Sequence, residues 1–96
     1  MPYIKDEDRA QYDPLVAALA QQLRIANDDQ MDRAGHTNYV ITTLLLEAFP
    51  TRKYATMALV DGILSNIGRE YYRRRVAPYE DEKILENGDV YDTSGG

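Results

Sequence analysis

Apolar residues Met57, Val60, Leu64, Ile67 and Tyr71 recur at spacings of three, four, three and four. This is the pattern of a helical seam, and it predicts a long third helix from Thr51 or Arg52 to Val76. Such a helix has about 25 residues and a length near 37 Å. Upstream, Leu15, Val16, Leu19 and Leu23 outline a first helix that starts at Asp13-Pro14, with the carboxylate as cap, and runs to Ile25. Asn27 to Asp32 reads as a turn-rich break. A second helix is expected from His36 or Thr37 to Phe49, with Val40, Ile41, Leu44, Leu45 and Ala48 on one face and Pro50 ending it. Tyr39 and Leu46 lie off that stripe, as on a helix contacted from two sides.

The ends of the chain are more polar. Met1 to Tyr12 reads as a surface arm with a helical turn in Lys5 to Arg9, pinned by Tyr3, Ile4 and Tyr12. Ala77-Pro78 is expected to break or redirect the third helix, Pro78 opens a short last helix through Glu86, and Asn87-Gly88 stops it. Asp89 to Tyr91 reads as extended, and Asp92 to Gly96 as loose. The expected fold is all-α: one domain over residues 1–96, a small helical bundle with an arm (1–12) and a tail (89–96). A third helix longer than its neighbours would expose its seam in a monomer, so the chain is expected to pair with copies of itself, at least as a dimer, through Met57, Val60, Leu64, Ile67 and Tyr71. Its 96 residues bury only a modest share of their surface alone. Gly62 and Gly68 read equally as sites of close backbone approach or as tolerated glycines.

Composition narrows the function. The 16 acidic residues outnumber the 11 basic ones for a net charge of −5, which argues against general binding to DNA or RNA. There is no cysteine, hence no disulfide or thiolate site. No start resembling a signal peptide and no membrane-spanning run is present, so the expected location is the cytoplasm, away from membranes. No metal or cofactor is expected: Asp28, Asp29 and Asp32 near Gly35 lack the ligand alternation of a calcium loop. Phosphate-loop, zinc and nucleophile-elbow motifs are also missing, and the lone His36 reads as a cap or surface group, so an enzyme is not expected.

The charges are unevenly placed. Arg69, Arg73, Arg74 and Arg75 precede Glu80, Asp81, Glu82, Glu86, Asp89 and Asp92. At 100° per residue Arg74 and Arg75 fall near the face of Leu64 and Tyr71, Arg69 and Arg73 point away, and Glu70 stands ready to pair with Arg74. The acidic tail covering these arginines is one reading of the asymmetry. An anion site is the other, with Tyr72, Arg74, Arg75 and Tyr79 at the end of the oligomer seam, and Asn38 and Tyr39 adding an amide and a stacking surface.

The segments Met1-Pro2-Tyr3-Ile4 with Asp8-Arg9, Asn38-Tyr39-Val40-Ile41-Thr42, Tyr72-Arg73-Arg74, Ala77-Pro78-Tyr79-Glu80-Asp81 and Glu86-Asn87-Gly88-Asp89-Val90-Tyr91 span nearly the whole chain. In them the sequence resembles a family of small uncharacterised proteins from phages, prophages and bacteria. The acidic stretch Asn27 to Asp32 and the tail Asp92 to Gly96 depart from that pattern. The resemblance implies no activity, but a phage context implies action by binding. The leading expectation is a non-enzymatic protein that sequesters a small phosphorylated or nucleotide ligand, such as a host immune signal, at an oligomer interface. The alternatives are a module that binds a host or virion protein through its acidic surface, and a purely structural oligomer whose arginines neutralise its own tail.

Overall fold

The computed structural model describes residues 2–91, and all the regular elements among them are helical. In chain order they are α1 (Asp6–Arg9), α2 (Asp13–Ala26), α3 (Gln30–Ala48), α4 (Tyr54–Tyr71), a π-helical turn (Tyr72–Val76) and α5 (Ala77–Asn87). The described residues form two compact units, one ending at Val60 and the other starting at Asp61. Met1 and the expected tail segment Asp92 to Gly96 lie outside the described residues. No described helix is long and apolar enough to cross a membrane.

In the first unit, Arg9 organises the arm. Its Nε donates to the Ile4 carbonyl at 2.8 Å, and its guanidinium meets Asp6 at 3.2 Å. Tyr3, Ile4 and Tyr12 remain about half exposed. The first long helix, α2, begins at Asp13 with Pro14 in its first turn, as the sequence predicts, although the Asp13 carboxylate makes no capping bond and Tyr12 is the cap residue.

The turn after α2 is much tighter than the sequence suggests. Asn27, 6% exposed, is the one buried residue among those described. Its Nδ2 donates to the Leu23 carbonyl at 3.0 Å, and its own carbonyl accepts from Arg33 Nη2 at 3.0 Å and Nε at 3.2 Å. Asp29 then caps α3 by accepting from the Met31 amide at 3.0 Å. The expected break over Asn27 to Asp32 therefore shrinks to Asn27, Asp28 and Asp29, and α3 starts at Gln30 rather than at His36 or Thr37. The physical reason is that an acidic residue ahead of a helix satisfies its free amides, so aspartates that suggest a loop begin a helix instead. Gly35 and His36 consequently sit inside α3, where a glycine costs about 1 kcal/mol relative to alanine without preventing the helix.

The third helix of the sequence reading starts two or three residues late, at Tyr54, and ends early, at Tyr71. Pro78 neither breaks nor visibly redirects the helical run. It has no N–H to donate to the carbonyl of Arg74, and in an α-helix its ring would press against that group. The turn before it widens instead: the Ala77 amide reaches back five residues to the Tyr72 carbonyl. One extra residue is thus accommodated, and helix continues into α5. Gly88 closes α5 as expected, with its amide on the Ile84 carbonyl at 2.8 Å and a φ of 89° that suits glycine.

No apolar residue is buried among those described. The expected seam is open: Met57 is 49% exposed, Leu64 46%, Ile67 56% and Tyr71 61%.

Candidate functional site

The π-helical turn controls which side chains share a face in the second unit. In an unbroken α-helix Tyr79, eight residues beyond Tyr71, would be rotated about 80° from it. The inserted residue turns those eight into the equivalent of seven and brings Tyr79 back to within about 20° of Tyr71. Arg75 falls between them on the same line, so the seam Leu64, Ile67, Tyr71 continues through Arg75 to Tyr79. Arg74 is turned away from that line, toward the side of Glu70.

Printed contacts agree with this phase. Tyr72 donates its hydroxyl to Glu80 Oε1, a bond between residues eight apart that a helix one residue shorter in register can make. On α5, Lys83 Nζ lies 5.4 Å from the Tyr79 ring centroid and 2.9 Å from Glu86 Oε2. These are neighbours at helical spacings of four and three.

The charges sort themselves accordingly. Arg73 Nη2 meets Glu70 Oε1 at 2.9 Å and Oε2 at 3.1 Å, so the expected Glu70–Arg74 pair is replaced by Glu70–Arg73. Arg74 and Arg75 are exposed, and neither has an ion pair or hydrogen bond among the described residues. Glu80 is held on the Tyr72 side, about 100° around the helix from Arg75. The Tyr72 pKa is raised above its ordinary value, first because its hydroxyl donates to Glu80 and next because the Glu80 charge disfavours a phenolate. Tyr72 is therefore committed to an acid, and Tyr71 and Tyr79 are the rings in line with Arg75.

Asn38 and Tyr39 belong to the first unit and do not share a cleft. Tyr39, 70% exposed, lines a groove of about 510 Å³ between α2 and α3 with Leu19, Leu23, His36 and Val40. Asn38 lines a shallower depression with Arg33, Thr37 and Ile41, and its Oδ1 accepts from Thr42 at 3.4 Å. His36, placed at a helix start by the sequence reading, is an exposed groove residue one turn and more into α3. Among the described residues no three His, Asp or Glu side chains are grouped to hold a metal ion.

Sequence reasoning missed the Asn27–Arg33 joint and the Tyr71–Arg75–Tyr79 alignment. The signal for the first was Asp29 ahead of Gln30, a cap followed by good helix formers. For the second it was Pro78 soon after an uninterrupted helical pattern, a common setting for a kink or a widened turn.

Fold and site define an all-helical chain that presents one unpaired arginine between two tyrosines on an uncovered apolar seam. It belongs to the family described as Domain of unknown function (DUF6899), whose model matches residues 1–90. No curated protein and no solved structure matches the chain.

Proposed function

We propose that this chain is a non-enzymatic binding protein of phage type, acting in the cytoplasm, that assembles with copies of itself and sequesters a small phosphorylated or nucleotide ligand. Arg75 and Arg74 take the phosphate, and Tyr71 and Tyr79 offer stacking or hydroxyl contacts beside it. The observation that carries this reading is the placement of an unpaired, exposed Arg75 between Tyr71 and Tyr79 by a π-helical turn. Such turns are frequent at functional sites. Self-assembly is supported by the open seam of Met57, Leu64, Ile67 and Tyr71.

Native mass spectrometry of the protein with a panel of cyclic and linear nucleotides tests it. The expected result is an oligomer that gains intact nucleotide mass, loses that gain in Arg75→Ala and releases the ligand unchanged. An oligomer with no ligand from any panel member would overturn the ligand assignment, and a stable monomer would overturn the assembly.

A second reading rests on α5, where Glu80 and Glu86 are engaged but Asp81 and Glu82 have no ion-pair partner among the described residues. In that reading the acidic face binds a basic surface on a host or virion protein. Charge reversal at Asp81 and Glu82 would then abolish partner capture, while Arg75→Ala would leave it intact.

A further inference from the structure

The seam carries a conflict that self-assembly must resolve. Leu64, Ile67 and Tyr71 favour covering by another apolar helix, yet Arg75 continues the same line one turn later. In parallel pairing each seam residue meets its counterpart, so two Arg75 guanidinium groups approach each other as water leaves. Removing like charges from water without a counter-charge is strongly unfavourable. The chain has little with which to neutralise them. Glu80 is bonded to Tyr72, Glu70 to Arg73 and Glu86 to Lys83. Glu82, on the nearer side of α5, stands seven residues on, about 10 Å along the axis.

We propose that two copies pair in parallel along the α4 seam with one phosphate-bearing anion held between their Arg75 side chains, so that self-association and ligand binding are a single linked equilibrium. This rests on the function proposed above and adds that the site is incomplete without the second copy. The anion accepts hydrogen bonds from both guanidinium groups, and the paired Tyr71 and Tyr79 rings close the site above and below. By linkage, an anion that binds only the pair strengthens the pair to the same degree. Antiparallel pairing over the same apolar residues would instead lay Arg75 near Thr56 of the second copy and would need no shared anion.

Sedimentation velocity of the full chain in sodium pyrophosphate and in sodium chloride at equal ionic strength tests this, with calorimetry for the stoichiometry. Pyrophosphate is expected to tighten self-association by at least about tenfold and to bind once per two chains. Arg75→Leu, with helicity checked by circular dichroism, is expected to associate in chloride and to lose the pyrophosphate response, while Arg75→Lys keeps a weaker one. Equal association of the wild type in both salts, or a wild-type response in Arg75→Leu, would overturn the proposal. If pyrophosphate binds single chains without promoting association, the linkage fails and the ligand-binding reading stands. If it does not bind at all, both fail.

Discussion

The α2–α3 hairpin and the helical run through the π-turn solve opposite problems. The 33 residues of α2 and α3 carry five charged side chains, Asp13, Arg24, Asp32, Arg33 and Glu47. The 16 residues of the π-turn and α5 carry eight: Arg73, Arg74, Arg75, Glu80, Asp81, Glu82, Lys83 and Glu86. In the hairpin, geometry rests on one polar joint, where a buried asparagine links the end of α2 to Arg33 of α3. In the charged run it rests on one proline that adds a residue to a turn and so chooses which charges share the seam. A sparsely charged region can be shaped by a few hydrogen bonds, whereas in a charged helix the decisive variable is rotational register.

The largest effect expected from breaking this contrast is at the joint. Asn27→Ala removes the bond to the Leu23 carbonyl at a buried position and is expected to cost about 1–2 kcal/mol in urea unfolding. A cost within error of zero would mean that the joint does not hold the hairpin. Next comes the end of α5, where Gly88 has φ 89° and ψ 149°, a conformation nearly restricted to glycine. Gly88→Ala should cost about 1 kcal/mol or more, visible as faster amide exchange over the last turn of α5 with α2 and α3 unchanged.

The smallest effect concerns Tyr72. Because its folded pKa is raised, the folded chain holds this proton more tightly than the unfolded one. Any associated stability is present in full below the ordinary tyrosine value near 10 and disappears as pH rises through the folded value. Ultraviolet titration of the wild type against Tyr72→Phe should assign the last-ionising tyrosine to Tyr72, and Glu80→Gln should return it toward the ordinary range. Neither change should move the unfolding midpoint at neutral pH measurably. An unaltered titration in Glu80→Gln would remove the contact that marks the register of the charged run.

Much of the helical content was legible from local signals. Asp13-Pro14 and Asn27 bracket α2 to within a residue of its ends, and Asn87-Gly88 ends α5 where turn chemistry demands. The start of α3 was not legible by apolar spacing, since Gln30 to Gly35 carries no stripe and its helix depends on Asp29 and on Arg33 reaching back to Asn27. Candidate site residues were legible as types, because arginine and tyrosine beside a seam stand out in an acidic chain. Their alignment was not. Counting 100° per residue places Arg74 and Arg75 on either flank of the seam, and only the turn forced by Pro78 puts Arg75 in line with Tyr71 and Tyr79 while turning Arg74 aside. Asn38 and Tyr39, adjacent in sequence, line different depressions because neighbouring helical positions point about 100° apart.

The account turns on that register, and nuclear magnetic resonance can read it through the scalar coupling that passes across a backbone hydrogen bond. A cross-peak between the Ala77 amide nitrogen and the Tyr72 carbonyl carbon is the predicted result. A cross-peak from Ala77 to the Arg73 carbonyl would show an unbroken α-helix, would turn Tyr79 off the seam, and would contradict the site built on Arg75.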